Sequence, residues 1–152
     1  MQNAFSISRH DRTNAVGGGV CIFIKNNLNY NVVSIGDRYD DIELSAIDVI
    51  MSDKTVRFIV CYRPPYYDDK AKNYANKLIE CLNNLTKCSW SSVIVGDFNL
   101  PLINWSNNSS PLSCIYLEFF DFVSTNGFFQ SVDSATRNEN ILDQLCCVTI
   151  NC

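Results

Sequence analysis

Apolar runs with strand-like spacing dominate the first part of the chain. The glycine-led run GGGVCIFIK (17–25) predicts a strand, and NYNVVSI (29–35) follows it across two asparagines, so the two could form a hairpin. In DIELSAIDVI (41–50) apolar residues fall on both parities, which predicts a strand covered on both faces. TVRFIVCYRPP (55–65) predicts another strand, which ends at its two prolines because proline cannot donate to a ladder.

The rest of the chain mixes helical and strand periods. Apolar residues recur at steps of three and four over 68–87 and over roughly 112–125, which predicts two amphipathic helices. Three further strands are predicted from the runs SSVIV (91–95), FFQSV (128–132) and ILDQLCCVTI (141–150). Because strands and helices interleave, we expect one α/β domain over residues 1–152, with a mixed sheet covered by helices.

Composition narrows the class of protein. The 152 residues are 47% hydrophobic and 18% charged, as in a globular domain. No apolar run reaches the roughly 18–20 residues of a membrane span, and the N-terminus shows no signal-peptide pattern. We therefore expect an intracellular protein, nuclear or cytoplasmic, with no membrane partner.

Charge and cysteine content add two expectations. The net charge of −4 argues against binding DNA by electrostatics alone, but it does not exclude an enzyme that cleaves phosphodiesters with acidic residues. Most of the eight cysteines lie inside apolar runs and no CxxC pair occurs, so we expect reduced, buried thiols and no thiolate zinc site.

The segment GDFN (96–99) carries the first candidate site. On an extended chain, side chains two residues apart point the same way, so Asp97 and Asn99 can converge while Phe98 turns into the core. Beyond the carboxyl end of a strand in an α/β sheet, a carboxylate can take a proton from water, and an amide can hold the water or a phosphoryl oxygen. The same four residues also suit a purely structural Asx turn.

Two other segments offer polar groups near strand ends. Tyr62 ends the run before the prolines and could reach a phosphate, or its ring could simply pack with a solvated tip; Arg63 is a possible phosphate ligand. Asp143 interrupts an apolar strand, which is costly unless the carboxylate is paired or functional. Arg137 could pair with Asp143 or meet a substrate anion.

Taken together, these motifs resemble a known superfamily. The order of DRTNAVGGGVCIFIKNNL, DIELSAIDV, VRFIVCYRPP, SSVIVGDFNLPLINW and FFDFVSTNGFFQSVDSATRNENILDQL resembles the endonuclease/exonuclease/phosphatase superfamily. More narrowly, it resembles the endonuclease domain that precedes reverse transcriptase in LINE-type (non-LTR) retrotransposons. The resemblance runs over about residues 10 to 148.

This resemblance implies a fold and an activity. The fold would be a four-layer, deoxyribonuclease I-like α/β sandwich of two mixed sheets with outer helices. The activity would be Mg²⁺- or Mn²⁺-dependent phosphodiester hydrolysis that nicks DNA and leaves a 3′ hydroxyl for a reverse transcriptase domain on the same chain. Asp97 matches the aspartate that activates the attacking water, Asn99 the asparagine that contacts the scissile phosphate, and Tyr62 a phosphate-stabilising tyrosine. Asp143 matches the aspartate that orients the catalytic histidine.

Arg12 and Arg137 match positions that are often basic, which makes them candidates for substrate binding together with Arg63.

Departures from the family pattern lower the activity that we expect. No segment of MQNAFSISRH reads as the two family strands that bear an asparagine and the principal metal-ligand glutamate, and the closing Ser-Asp-His motif is not found. Asp97 is then the one matched metal ligand. We expect an incomplete domain with little or no activity, and unpaired sheet edges that lower solubility.

Two other functions are compatible with the same residues. The chain could be a non-catalytic relic with the same fold, or it could be a phosphatase-type member of the superfamily. The arrangement TR...ILD favours the retrotransposon branch over the phosphatases.

Overall fold

A computed structural model describes residues 4–12, 17–65 and 69–148 of the chain. Within these ranges it has eight strands, two α-helices and a short 3₁₀ turn. The strands are β1 (Phe5–His10), β2 (Val20–Lys25), β3 (Asn29–Val32), β4 (Leu44–Ile50), β5 (Thr55–Tyr62), β6 (Ser91–Asp97), β7 (Phe129–Gln130) and β8 (Asp143–Val148). The helices are α1 (Asp69–Leu85) and α2 (Cys114–Thr125), and the turn is Asp37–Tyr39. These bounds confirm both predicted helices and the predicted strands within the described residues.

Six of the strands form one mixed sheet in the order β3-β4-β5-β6-β8-β7. β5 and β6 are parallel, and the other neighbours are antiparallel. Helix α1 connects the parallel pair, as the crossover between parallel strands requires. The ends of β5 and β6 and the start of β8 therefore lie side by side along one border of the sheet. Below, the edge means this border of strand ends and not an outer strand.

The two helices cover one face of this sheet and form the main core. Buried side chains of α1 and α2, such as Leu78, Leu82 and Phe119, pack with Ile59 and Ile94 of the central strands. β4 is buried along most of its length, as its apolar residues on both parities predict.

The opposite face of the sheet carries a second, two-stranded sheet made of β1 and β2. Ile24 of β2 packs with Ile47 and Val49 of β4, and the hydroxyls of Ser8 and Ser45 lie 2.8 Å apart between the sheets. The described residues thus supply three layers: helices, a six-stranded mixed sheet and an antiparallel pair. This is the predicted deoxyribonuclease I-like arrangement of two sheets with outer helices, of which the described residues show three layers.

One prediction about the start of the chain is wrong, and one strand there was not predicted. β2 and β3 do not form a hairpin, because β2 pairs with β1 and β3 pairs with β4 of the other sheet. MQNAFSISRH does contain a strand, β1. Its pattern is inverted, since Ser8 lies inside while Phe5 and Ile7 lie outside, so local hydrophobicity did not indicate it.

Neither described helix is long and apolar enough to cross a membrane. The six cysteines whose side chains are described are free thiols, of which Cys61, Cys81 and Cys146 are buried. Burial raises the pKa of Cys146 to about 12, so this thiol stays protonated at neutral pH. Cys114 and Cys152 lie outside the described side chains.

The outer face of the β1–β2 sheet is apolar and exposed. Phe23 is 65% exposed, and it faces Ile7 across the two strands. Phe5 lies two residues from Ile7 on the same side of β1 and is also exposed. A contiguous apolar patch beside an unpaired edge strand favours association between molecules.

We therefore expect the isolated chain to self-associate, and Phe23→Ser to weaken that association by about tenfold, because an exposed aromatic anchor is lost. Sedimentation velocity over a concentration series measures this. Leu112→Ser is the matched control, since Leu112 is an exposed loop residue away from the patch. Equal association of wild type and Phe23→Ser would exclude this face as the contact.

Candidate active site

Strand register places four polar side chains in one row at the edge of the six-stranded sheet. Tyr62 is the register partner of Asp97, and Asp97 is the register partner of Asp143. Glu43, directly before β4, accepts a backbone hydrogen bond from the Tyr62 N–H at 2.9 Å. Because register partners project from the same face at strand spacings of about 4.8 Å, the row forms one continuous polar edge.

Asp97 and Asn99 lie together, as predicted, but through a turn. Phe98 is fully buried, which confirms that it turns into the core. Asn99 has a left-handed backbone (φ 49°), and its N–H donates to Oδ1 of Asp97 at 3.0 Å. This is the Asx turn that the sequence offered as the structural alternative. It fixes the Asp97 carboxylate at the end of β6 without making it inaccessible.

Arg63 and Asn99 hold the two neighbouring chain segments together. Arg63 is 4% exposed, and its Nη1 donates to the carbonyls of Phe98 and Asn99 at 3.1 Å each. In return, Nδ2 of Asn99, which is 6% exposed, donates to the Arg63 carbonyl at 2.7 Å. The Arg63 N–H also donates to the Asp97 carbonyl at 2.9 Å. These bonds make both side chains a rigid support beneath Asp97.

Asp143 is the first residue of β8 and is exposed, so the prediction that it interrupts an apolar strand is wrong. Because Asp143 lies at the exposed start of β8, its carboxylate stays in water and the free-energy cost of burying a charge does not arise. Oγ1 of Thr136 accepts the N–H groups of Leu142 and Asp143 at 3.0 and 3.1 Å. The loop closes through backbone bonds between Arg137 and Asn140, and the exposed Arg137 forms no ion pair with Asp143 among the described residues.

The electrostatics of the row act on Asp97. Its pKa is raised above the ordinary 3.8, chiefly because partial burial disfavours the carboxylate and further because Asp143 is close. The Asn99 hydrogen bonds and the Arg137 charge act in the opposite direction. A carboxylate with a raised pKa is a better proton acceptor, which suits a general base.

These opposing charges predict how the pKa of Asp97 responds to substitution of its neighbours. We expect Asp143→Asn to move the pKa of Asp97 down towards its ordinary value and Arg137→Ala to move it up. Carbon-detected NMR of the side-chain carboxyls over pH measures both shifts. An Asp97 pKa that is insensitive to both substitutions would show that the charges are not adjacent.

Arg12 reaches the same edge from the chain between the two strands of the small sheet. Its Nε and Nη2 contact Oε1 of Glu43 at 2.8 and 2.7 Å, and its guanidinium carbon lies 5.9 Å from the centre of the Tyr62 ring. Of the residues predicted from the sequence, the structure brings Arg12, Tyr62, Asp97 and Asp143 to one edge. Arg137 contributes its charge there, and Arg63 and Asn99 lie beneath.

Sequence reasoning missed two contributors to this edge. Glu43 did not match a family motif, although a carboxylate between the buried residues Ile42 and Leu44 is a signal, since such a group needs partners. Thr136 gave no signal, because the bonds of its hydroxyl depend on the path of the loop.

The donor chemistry of the edge fits a divalent cation in part. Asp97 and Asp143 are neighbouring carboxylates whose mutual repulsion a cation would relieve, and Mg²⁺ is often held by one or two carboxylates together with substrate phosphates. Within the described residues, no group of three or more histidine, cysteine or acidic side chains converges as a metal site. The edge therefore suits a cation that substrate helps to bind.

Comparison with known proteins gives a family and a fold. The family model for endonuclease-reverse transcriptase matches residues 56–147 of the chain. No match is found among curated proteins.

Solved structures match over nearly the whole chain. The endonuclease domain of TRAS1, a telomere-specific non-LTR retrotransposon, is 13% identical with a TM-score of 0.62, covering 93% of this chain and 67% of that one. A mannosyl-6-phosphatase from Bacteroides thetaiotaomicron is 13% identical with a TM-score of 0.63, covering 95% and 63%. The catalytic domain of human Nocturnin is 12% identical with a TM-score of 0.58, covering 95% and 60%. The chain thus spans about two thirds of the length of these structures.

Proposed function

The chain belongs to the endonuclease-reverse transcriptase family, and from this we propose that the edge formed by Tyr62, Asp97 and Asp143 hydrolyses phosphodiesters as the DNA-nicking site of a retrotransposon-derived endonuclease domain. The observation that supports this most is the register of three adjacent strands, which aligns all three side chains although they are far apart in sequence. In this proposal the substrate is DNA, the product carries a 3′ hydroxyl, and a reverse transcriptase is the associated activity.

Each residue then has a role in this proposal. Asp97 accepts a proton from the attacking water, since its carboxylate is held by the Asx turn and its pKa is raised. The Tyr62 hydroxyl stabilises the phosphate, and the charges of Arg12 and Arg137 attract it. Asp143 repels the Asp97 carboxylate and so keeps its proton affinity high.

Arg63 and Asn99 receive a different role from those that the sequence predicts, which were contacts with a phosphate. Both are almost fully buried and donate to backbone carbonyls of the opposite segment. We assign them to positioning Asp97 rather than to contacting the scissile phosphate.

A divalent cation, Mg²⁺ or Mn²⁺, belongs to this proposal. Asp97 would hold it, with Asp143 beside it, and the cation would supply charge neutralisation at the phosphate oxygens. Because the edge offers few ligands of its own, we expect the 152-residue chain by itself to nick DNA slowly or not at all.

An activated substrate tests the proposal despite that low activity. Bis(p-nitrophenyl) phosphate has a leaving group that departs without protonation, so its cleavage does not need a histidine acid. We expect the wild-type chain to hydrolyse it in the presence of Mg²⁺ or Mn²⁺, and EDTA to abolish the hydrolysis. If the chain hydrolyses this substrate no faster than the metal ion does without protein, at every metal concentration, the proposal is contradicted.

The phosphatase alternative has a specific discriminator. The fold does not separate the two classes, because the TM-scores to the retrotransposon endonuclease domain and to the mannosyl-6-phosphatase are nearly equal. The family match favours the endonuclease. Hydrolysis of the monoester p-nitrophenyl phosphate in preference to the diester would favour the phosphatase.

A further inference from the structure

Glu43 is a buried carboxylate that the roles above do not use. It is 5% exposed, and isolating such a charge from water is strongly unfavourable unless donors surround it. Three donors do. Arg12 contributes Nε and Nη2 to Oε1, and the backbone N–H of Gly19 donates to Oε2 at 2.7 Å. One carboxylate therefore joins the segment at Arg12 to the glycine turn that follows it.

The backbone of Glu43 is fixed relative to Tyr62. Its carbonyl accepts the Tyr62 N–H at 2.9 Å, and its own N–H donates to the hydroxyl of Tyr74 at 3.0 Å. The same hydroxyl donates to the Tyr62 carbonyl at 3.0 Å. Burial raises the pKa of Tyr74, so the phenol remains protonated and keeps that donor. Through the Tyr74 hydroxyl, helix α1 therefore fixes the backbone at Glu43 relative to the backbone at Tyr62.

The guanidinium of Arg12 is confined from two further sides. The Tyr62 ring lies under it, with the centroid 5.9 Å from Cζ. Gly18 lies so close that a Cβ there would be 2.6 Å from the same carbon, so a side chain at this position would displace the guanidinium. The side chain is nevertheless 31% exposed. It presents a positive charge to solvent beside Tyr62, Asp97 and Asp143.

We propose that Glu43 is a positioning residue that holds the Arg12 guanidinium at the site as a contact for a DNA phosphate. This inference rests on the proposed function, because it assumes that nucleic-acid phosphates approach this edge. A bound carboxylate weakens the net attraction of Arg12 for an anion, but it fixes the planar donor fork in one orientation. In this proposal, the fixed orientation of the Arg12 guanidinium contributes more to phosphate binding than the negative charge of Glu43 takes away.

Charge and geometry predict opposite effects for Glu43→Gln. The substitution removes a negative charge, so electrostatics alone predicts tighter DNA binding. It also loosens Arg12, so the positioning role predicts weaker binding. We expect Glu43→Gln and Arg12→Ala each to weaken binding about tenfold, as the loss of one charge-assisted hydrogen bond does. We further expect each to reduce the salt slope by about 0.9, the value for one phosphate contact.

Fluorescence anisotropy of a fluorescein-labelled 20-base-pair duplex, titrated in EDTA at several salt concentrations, measures both quantities. The double variant is expected to match Arg12→Ala alone, because Glu43 acts through Arg12. The matched control is Asp48→Asn. Asp48 forms a similar two-point ion pair with Arg57, further along β4, and its removal is expected to leave DNA binding unchanged.

Each remaining outcome is decisive. Binding by Glu43→Gln that equals or exceeds wild type overturns the inference, as does unchanged binding by Arg12→Ala. If thermal melting shows that Glu43→Gln is unfolded, Gly18→Ala replaces it, since the added methyl displaces the guanidinium without changing a charge. Wild-type binding by Gly18→Ala then overturns the inference. A wild-type chain with no salt-dependent DNA binding contradicts the proposed function itself.

Discussion

The substitution Asp97→Asn is expected to lower the rate of bis(p-nitrophenyl) phosphate hydrolysis by about 100-fold or more, as the loss of a general base does. An amide cannot accept the proton of the attacking water at neutral pH, and it is a weaker ligand for a hard cation. Its Oδ1 can still accept the Asn99 N–H, so the Asx turn should survive. The loss would therefore report on chemistry and not on the local fold.

The same substitution is expected to stabilise the chain. Folding raises the pKa of Asp97, so the carboxylate is penalised in the folded state. Stability therefore falls as the pH rises from the ordinary value of 3.8 through the raised value, and the penalty remains at neutral pH. We expect Asp97→Asn to raise the Tm by about 1–2 °C at pH 7, which a fraction of a kcal/mol produces in a chain of this size. The gain should vanish below the ordinary pKa.

Asp121→Asn is the matched control, since Asp121 is an exposed acid on α2, on the helix side of the sheet. It is expected to leave the hydrolysis rate unchanged. Retained hydrolysis in Asp97→Asn, or a lower Tm at neutral pH, would contradict the role and the electrostatics assigned to Asp97.

The substitution Gly96→Ala is expected to destabilise the chain more than any other single methyl addition near the site. A Cβ at this position would lie 1.9 Å from the carbonyl oxygen and 2.9 Å from the carbonyl carbon of Cys61, on the neighbouring strand β5. Both atoms belong to the backbone of a parallel pair, so relief requires the strands to separate. We expect a loss of about 3 kcal/mol or more and a Tm lower by about 6–12 °C.

Gly36→Ala separates this clash from the general effect of removing a glycine. Gly36 has a positive φ of 81°, but nothing lies within 4 Å of the position of an added Cβ. We expect it to cost only about 1–2 kcal/mol of backbone strain. Urea unfolding monitored by circular dichroism compares the two variants. A loss in Gly96→Ala no greater than that in Gly36→Ala would mean that β5 and β6 do not approach each other as described.

Local patterns predicted the strands and helices whose apolar side chains face the core and whose polar side chains face solvent. β5, α1 and α2 follow from periodicity, and Asp97 follows from its place after an apolar run. β1 was missed because Ser8 faces inward and bonds Ser45 of another sheet, so its burial depends on a partner 37 residues away. The hairpin of 17–25 with 29–35 was wrong because register with distant strands decided the pairing of both.

The site shows the same limit at finer scale. The sequence indicated the convergence of Asp97 with Tyr62 and Asp143, but two long-range strand pairings produce it. The left-handed turn at Asn99 and the burial of Arg63 depend on hydrogen bonds between segments about 35 residues apart. Gly96 predicted only the end of a strand, whereas it lies within β6, and its close approach to Cys61 depends on the packing of β5.

The most direct test of the central claim is the location of a bound divalent cation. We expect substoichiometric Mn²⁺ to broaden the amide signals of Tyr62, Arg63, Asn99 and Asp143 in ¹H–¹⁵N spectra of the wild-type chain. The broadening should disappear in Asp97→Asn. The groove between α1 and α2, which contains Glu80, Glu118 and Asp121, provides an internal comparison. Broadening first in that groove, or broadening at the edge that persists in Asp97→Asn, would contradict the claim that Asp97 and its neighbours form the phosphodiester-cleaving site.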